Sequence, residues 1–388
     1  MTLPDKPVCD AAVQGKISEF FDYLHIHAEI SMKETKTTEW IKKRLDALGC
    51  RTQTFSDCPG VIGEIGSGKP VVAIRADMDA LWQEVGGTFR ANHSCGHDAH
   101  MSIVLGVVML LKKYRPTSGG TIRFVFQPGE ETGEGARAMI ARGVMSDADY
   151  LFGVHLRPNE EIADGRAEPA ILHGACKTIS AVIEGEDAHA ARPHLGKNAI
   201  EAASAIIEGL GHIHMNPMIP STVKMTTLHS GTASNIIPGH AEFTLDVRAQ
   251  TNEAMAGLTE QVRRVIRSVA DAFLVRIKIS TSPGCISALY HPEAIGIMSG
   301  AITDILGKGR LEQPHRSSGG DDFHQYAFNL PNLKTTMLGL GCGLKPGLHH
   351  PQMTFNREAM FSGSSILTAA ALRTLEKNGN IDHCFPAD

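Results

Sequence analysis

The order of apolar and polar positions divides the first half of the chain into alternating helices and strands. Helical spacing predicts helices over residues 14–30, 37–48, 98–111 and 135–142, and short apolar runs predict strands over 71–74, 121–126 and 150–155. Asp98 is expected to cap the third helix, and residues 77–97 are expected to be mostly loop. Strands that alternate with helices predict an α/β fold with a mainly parallel sheet flanked by helices.

The pattern changes in the middle of the chain. Strands are predicted over 178–185, 224–229, 241–249 and 275–282, with helices over 198–212 and 252–272. This βαββαβ order is typical of a ferredoxin-like α+β unit. We therefore expect an inserted domain over residues 175–284, with residues 1–174 and 285–388 forming the other domain. A later strand over 334–338 is expected to end in a glycine-rich turn at 339–343.

Composition and charge argue against several classes of protein. The formal net charge of −5 and the pI near 6.4 disfavour binding to nucleic acid or to an acidic membrane. The longest apolar run, residues 103–111, is shorter than the roughly 20 residues that a membrane-spanning helix needs. The eight cysteines are scattered and the N-terminus lacks a signal-peptide pattern, so a cytoplasmic protein with reduced thiols is expected.

Residues of the types that can ligate transition metals follow the predicted strands of the first domain. They are Cys95, His97, Glu130, Glu131, His155, His349 and His350. Open α/β sheets place their sites at the ends of strands, and a thiolate with imidazoles and a carboxylate is a ligand set for a divalent transition metal. Glu130 and Glu131 diverge in direction, so one can ligate while the other takes a proton from a metal-bound water.

Each of these residues also has a structural interpretation. Cys95 could be an ordinary buried cysteine, Glu130-Glu131 a solvated acidic pair, and His155 a hydrogen-bonded core residue. Spacing alone does not choose between His349 and His350 as a ligand.

Other candidates lie outside this set. Asp77 and Asp79 could be ligands, could orient a ligating histidine, or could serve a turn. In the inserted domain, His189 and Asn235 are candidates for substrate binding. Arg248 could hold a substrate carboxylate as a two-donor fork, or could be an exposed arginine at a strand end.

Seven short segments occur in an order that resembles the metal-dependent aminoacylase–carboxypeptidase superfamily of co-catalytic metallopeptidases. The segments are 75–81, 95–100, 127–131, 155–158, 189–194, 232–238 and 348–351. Within the superfamily, the chain is similar to the amidohydrolase branch of hippurate hydrolases, auxin–amino acid conjugate hydrolases and N-acetyl-diaminopimelate deacetylases. The resemblance covers nearly the whole chain.

The resemblance implies roles for individual residues. The metal ligands would be Cys95, His97, Glu131, His155 and His349, with Cys95 bridging two divalent metal ions. Glu130 would be the general base and then the acid for the leaving amine. Asp79 would support a ligand, and the inserted domain would act as a lid and dimerisation surface. It would supply His189, from the same or a partner subunit, to the substrate carbonyl oxygen.

The chain departs from the patterns of the family and its branches at four places, one of which is Asn92-His93, where a Val-Met or Met-His pair is more usual. Asp77-Met78-Asp79 stands where other branches have a ligating His-x-Asp pair, so His97 would supply the imidazole. Trp82 replaces a usual proline near the expected pocket, and His350 replaces a common serine.

The sequence thus predicts a metal-dependent amidohydrolase that cleaves N-acyl-L-amino acids and contains two ions of zinc, manganese, cobalt or nickel. A dipeptidase or carboxypeptidase with the same centre is the enzymatic alternative. A thiol amidase with Cys95 as nucleophile and a non-catalytic protein that binds acyl-amino acids or peptides are the other hypotheses. A homodimer formed through the inserted domain is expected.

Overall fold

The computed structural model describes residues 6–114 and 119–379. Residues 1–5 and Cys384, which enter the argument about the compartment, lie outside the described residues. The helices are α1 Ala11–Ile26, α2 Thr35–Ala47, α3 His97–Lys113, α4 Gly135–Ala141, α5 Ala199–Gly211, α6 Asn252–Phe273, α7 Pro292–Leu306, α8 His324–Asn329 and α9 Ala359–Gly379. Of these helices, none combines the length and apolar character that a bilayer crossing requires.

The strands of the described chain are mostly short. They are β1 Arg51–Thr54, β2 Val61–Ser67, β3 Val71–Asp77, β4 Leu81–Val85, β5 Thr88–Asn92, β6 Gly120–Gln127, β7 Tyr150–Pro158, β8 Ala167–Glu168, β9 Leu172–His173, β10 Ala175–Glu184, β11 Ala188–His189, β12 Ser221–Ser230, β13 Ile236–Ile237, β14 His240–Ala249, β15 Arg276–Thr281, β16 Arg316–Ser317 and β17 Lys334–Leu344. The described chain divides into two compact units. Unit 2 comprises residues 173–288 and 316–320, and unit 1 comprises the rest.

Unit 1 is built on a seven-stranded mixed sheet in the order β1-β2-β6-β3-β7-β17-β8. The four central strands, β6, β3, β7 and β17, are parallel to one another. Alternate residues of β3 enter two different cores, with Val72 and Ile74 in the larger one and Ala73 in the smaller one. The prediction of an α/β fold with a mainly parallel sheet between helices is therefore confirmed.

Parallel strands also decide where the polar segments meet. β3 ends at Asp77, β6 ends at Gln127, and β7 carries His155 near its own end. Because these strands are parallel and adjacent, their carboxyl ends lie along one edge of the sheet.

Three local predictions were wrong. Residues 81–92 form the β4–β5 hairpin around Gly86-Gly87, a turn pair that signals a hairpin even though its strands are largely exposed. Gly96, at φ 89°, precedes α3 in place of the expected Asp98 cap. The 339–343 segment continues β17 beside β7 rather than turning, and the glycine at 341 is needed because a side chain there would meet the Ala163 carbonyl oxygen at 2.1 Å.

Unit 2 contains a four-stranded antiparallel sheet in the order β12-β14-β10-β15, with α5 and α6 packed on it. Each helix begins at a residue whose side chain accepts backbone N–H bonds, Asn198 for α5 and Thr251 for α6. Alternate residues of β14, including Phe243, Leu245 and Val247, are buried in the unit's own core. Strand β12 forms one edge of this sheet.

Candidate metal centre

The carboxyl edge of the unit 1 sheet brings ligating atoms from four separate segments together. The Cys95 Sγ lies 3.6 Å from the His155 Nε2. The Glu131 Oε1 lies 4.0 Å from the His97 Nε2 and 3.4 Å from the His349 Nε2. All five predicted ligands are thus in one neighbourhood.

These atoms form two overlapping groups. Cys95, His97 and His155 make the first group, and Cys95, Glu131 and His349 make the second. Within each group the ligating atoms all lie within 4.8 Å of one another. Because Cys95 belongs to both, its thiolate is the atom that two adjacent cations could share.

The donor set fits divalent cations. The His97 Nε2 and the Glu131 Oε1 are buried, and each lacks a hydrogen-bond partner in the described structure. Such atoms are costly unless something else satisfies them. Burial also raises the pKa of the Cys95 thiol well above its ordinary value, so a cation is the charge that would stabilise a thiolate here.

The orientation of His97 is set by Asp79. The His97 Nδ1 donates to the Asp79 backbone oxygen at 2.8 Å, which turns the Nε2 toward the ligand groups. The Asp79 carboxylate accepts the backbone N–H groups of Glu130 and Glu131, each at 3.0 Å, and the Ser31 hydroxyl at 2.6 Å. Hydrogen bonds to His97 and Ser31 outweigh the effect of burial and lower the pKa of Asp79. Asp79 therefore supports both a histidine and the glutamate pair.

Glu130 lies beside the ligands but faces other carboxylates. Its Oε2 is 4.0 Å from the His97 Nε2, and its carboxylate forms a close buried group with Asp321 and Asp322. Burial, together with the charges of Asp321 and Glu131, raises the pKa of Glu130 well above its ordinary value. A carboxylate shifted in this direction can hold a proton at higher pH than a solvated glutamate.

Sequence reasoning missed a second buried network behind the ligands. The His100 Nδ1 bonds the Asp77 Oδ1 at 2.7 Å, and the His100 Nε2 accepts the Leu156 N–H at 3.0 Å. Both ring nitrogens are therefore used, which makes His100 a structural residue rather than a ligand. The recurrence of histidine three residues after His97, on the same helix face, was the available signal.

Arg75 anchors the same network to the sheet. Its guanidinium donates to Asp77 at 2.6 Å, to Asp322 at 2.8 Å and to the Gln127 side chain at 3.1 Å. Arg75 is fully buried, as are these partners, so the carboxylates of the site are held around an interior cation. Asp321 and Asp322 lie nearly two hundred residues beyond Gln127, and no sequence spacing pointed to them.

The two histidines of the last segment face different ways. The His349 side chain reaches Glu131, its backbone N–H donates to the Ser94 oxygen at 2.7 Å, and its φ is 65°. The His350 Nδ1 instead accepts the Gln352 N–H at 3.1 Å within its own exposed turn. The geometry thus favours His349 as the ligand.

The predicted substrate residues of unit 2 are exposed and lie at opposite ends of its sheet. His189 and Asn235 are close, because the Ala190 N–H donates to the Asn235 oxygen at 3.0 Å. His189 follows the end of β10 and Asn235 precedes the start of β14, whereas Arg248 lies eight residues beyond His240, where β14 begins. At about 3.4 Å per residue, Arg248 is roughly 27 Å along the strand from His240. It donates to Asp246 and to the Ser318 oxygen.

Comparison with known proteins identifies the family of the chain. The sequence pattern of Peptidase family M20/M25/M40 matches residues 73–373. The chain is 30% identical to an N-acetylcysteine deacetylase of Bacillus subtilis, over 95% of this chain and 99% of that one. It is 26% identical to an IAA-amino acid hydrolase of Arabidopsis thaliana, over 94% and 88%.

A solved structure gives the same result. A Bacillus subtilis protein described as a dinuclear metal binding peptidase from the M20 family superposes with a TM-score of 0.81 at 28% identity. The match covers 95% of this chain and 99% of the solved one. The candidate ligands lie together at one sheet edge, and the chain belongs to Peptidase family M20/M25/M40 and is a hydrolase of amide bonds.

Proposed function

We propose that this protein hydrolyses the amide bond of N-acyl-L-amino acids, with Glu130 as the general base. The observation that carries the proposal is the position of Glu130, a buried carboxylate that lies close to His97 and Glu131 but belongs to neither of the two groups that share Cys95. A protein that only bound metal or substrate would need Glu131 but not a second buried carboxylate beside it.

Two divalent metal ions are the proposed cofactor. Cys95 would be shared, His97 and His155 would complete one set, and Glu131 and His349 the other. When bound, such ions supply Lewis acidity, which lowers the pKa of a coordinated water and polarises a substrate carbonyl. Zinc, manganese, cobalt and nickel all suit this combination of nitrogen, oxygen and sulfur ligands.

The residues of the chain would do the remaining work. Glu130 would take a proton on its carboxylate as water attacks the carbonyl carbon, and would return that proton to the departing amine. Asp79 would keep His97, Glu130 and Glu131 in place by accepting one hydrogen bond from each. His189 and Asn235 would contact the acyl carbonyl oxygen, and Arg248 the carboxylate of the amino acid.

The substrate class rests on the relatives. One of them is a deacetylase of an N-acetyl amino acid, and another is a hydrolase of an amino acid conjugate. Both names describe cleavage of an acyl group from an amino acid. Thermostable carboxypeptidases from Saccharolobus solfataricus, 32% identical over 64% of this chain, keep a peptidase as the second candidate.

Two further parts of the proposal concern assembly and location. A homodimer through unit 2 is supported by the ten-residue β12 at a sheet edge, since such an edge can pair with a second copy. In such a dimer, the partner subunit would supply His189 to the substrate. The separation of His189 and Arg248 within one subunit favours this arrangement. A cytoplasmic location is in keeping with the scattered cysteines.

A thiol amidase with Cys95 as its nucleophile is the rival mechanism. Cys95 is only 6% exposed, which leaves a substrate carbonyl little access to its sulfur. Alkylation separates the two mechanisms, because a ligated thiolate is protected while metal is bound and a free nucleophile is blocked.

The experiment is amine release from N-acetyl-, N-benzoyl- and dipeptide substrates, measured on chelated protein and on protein reloaded with manganese, cobalt or zinc. We expect release only after reloading, and faster from N-acyl-amino acids than from dipeptides. Faster release from dipeptides would replace the amidohydrolase by the peptidase. Release from fully chelated protein would contradict the metal-dependent mechanism.

A further inference from the structure

Two cysteines outside the metal centre lie directly across from each other in unit 2. Cys176 is near the start of β10, and Cys285 follows β15. The Cys176 N–H donates to the Cys285 oxygen at 3.1 Å, and the Cys285 N–H donates to the Cys176 oxygen at 2.9 Å. The two residues therefore form a hydrogen-bonded antiparallel pair.

This backbone arrangement matches the requirements of a disulfide. Residues in such a pair have Cα atoms about 5.5 Å apart and side chains on the same face of the ladder. Disulfides join cysteines whose Cα atoms are about 4.4–6.8 Å apart. Both residues are thiols in this structure.

Two glycines make room for the pair. A side chain at Gly284, where φ is 66°, would meet the Cys176 carbonyl oxygen at 2.0 Å and would disrupt the backbone hydrogen bonds between Cys176 and Cys285. A methyl group at Gly320 would lie 3.1 Å from the Cys285 sulfur and 3.3 Å from the Cys176 sulfur. Both sulfurs therefore occupy one small space beside Gly320.

The surroundings of Cys176 differ from those of the other thiols. Among the described cysteines, Cys176 and Cys285 are partly exposed, whereas Cys9, Cys50, Cys58, Cys95 and Cys342 are buried. The hydrogen bond from the Cys285 thiol lowers the pKa of Cys176. The positive charge of Arg248, which pairs with Cys176 between β10 and β14, also lowers this pKa. Accessible, low-pKa thiolates next to a second thiol are the reactive ones in proteins.

We propose that Cys176 and Cys285 are a redox-active dithiol that reacts with small-molecule disulfides. The Cys176 thiolate attacks one sulfur of the small disulfide, forms a mixed disulfide and releases the first small thiolate. Cys285, after losing its proton to solvent, attacks the Cys176 sulfur, forms the protein disulfide and releases the second small thiolate. The protein dithiol is oxidised by two electrons and the small disulfide is reduced to two thiols.

The test treats the metal-loaded full-length protein with oxidised glutathione, followed by alkylation of remaining thiols and peptide mass mapping. Wild-type protein should lose about two thiols per chain and yield a linked 176–285 peptide that a reductant reverses. Cys285→Ser should stop at a mixed disulfide on Cys176, and Cys176→Ser should react at least about tenfold more slowly. Cys58→Ser, at a buried site, should behave as wild type.

Several results would overturn the proposal. One is a glutathione adduct that persists on Cys176 in the wild-type protein. Another is that both thiols are alkylated as fast after the treatment as before it. A third is that Cys285→Ser reacts as fully as the wild type and forms an internal disulfide elsewhere. The wild-type mapping decides the question even where a serine variant fails to fold. Metal content and thermal unfolding of each variant identify such a failure.

Discussion

Most candidate residues of unit 1 are buried and those of unit 2 are exposed, with His349 of unit 1 as an exposed exception. At the unit 1 sheet edge, His97 is fully buried, and Asp79 and Glu130 are 1% and 9% exposed. In unit 2, His189, Asn235 and Arg248 are all exposed. The buried groups of unit 1 are held in one geometry by their neighbours, whereas the unit 2 residues, which we propose bind substrate, are open to solvent.

The physical reason is the cost of burying polar groups. A buried carboxylate or imidazole is stable only when neighbours satisfy it, and at the unit 1 edge Asp77, Asp79 and His100 are each held by two or more hydrogen bonds. An exposed arginine remains hydrated and can adjust. Substitutions of the buried groups at the unit 1 edge should therefore affect chemistry or folding strongly, and those of the exposed candidates in unit 2 should mainly affect binding.

The largest effect is expected from Glu130→Gln. The amide cannot accept the proton from water, so turnover should fall by roughly 10²–10⁴-fold while bound metal is retained. Amine release and metal content, both measured after reloading, check this. The matched control is Glu134→Gln, four residues away and exposed. Near-wild-type turnover in Glu130→Gln would remove the base assignment.

Arg75→Met tests whether the buried network is as coupled as its contacts indicate. Without the guanidinium, Asp77 and Asp322 lose their buried partner, and the free energy of unfolding should fall by about 3–5 kcal/mol. Urea unfolding of chelated protein measures it, with the exposed Arg51→Met as the control. A loss no larger than that of the control would show that the network does not depend on its cation.

Asp79→Asn should weaken the centre without removing a ligand. The amide still faces His97 and the Glu130-Glu131 backbone, but it replaces an acceptor oxygen by a donor. Metal affinity should fall roughly 10–100-fold. Competition with a chelator checks this, and the exposed Asp22→Asn serves as the control. Unchanged affinity would mean that the backbone oxygen of Asp79 alone orients His97.

Arg248→Lys should separate binding from chemistry in unit 2. An ammonium cannot offer the two-donor fork, so KM for N-acyl-amino acids should rise about tenfold with kcat little changed. Arg276→Lys, exposed in the same unit, is the control. A large fall in kcat at constant KM would contradict a role limited to holding the substrate carboxylate.

The smallest effect is expected at the surface of unit 1. Hydrogen bonds from Lys334 and Lys377 lower the pKa of Glu293 to about 2 from an ordinary value of 4.5. Its contribution to stability is therefore present above pH 4.5 and is lost as the pH falls toward 2. The free energy of unfolding of the wild-type protein should exceed that of Glu293→Gln by about 1 kcal/mol or less at pH 6, and by less still at pH 3.

Urea midpoints of chelated protein at the two pH values check the Glu293 prediction. A difference that stays constant with pH would show that the lysines do not stabilise the carboxylate.

Local residue patterns predicted much of the molecule because they report short-range physics. The run at 71–74 is a strand because it is apolar and buried on both faces, as its split between two cores shows. Asn198 at the start of α5 is an ordinary helix-capping residue. The β4–β5 hairpin was missed because its strands lack apolar alternation and only Gly86-Gly87 signals it.

The sequence by itself determined which chemistry is available: a thiol, imidazoles and a glutamate pair placed directly after strands. Tertiary structure decided how these groups act, because parallel pairing brings segments 60 or more residues apart in the chain, such as Cys95 and His155, to one sheet edge. It also brought the His349 side chain to Glu131, engaged both nitrogens of His100, and placed Asp321 and Asp322 beside Glu130. Those outcomes depend on long-range contacts and burial, which no local spacing encodes.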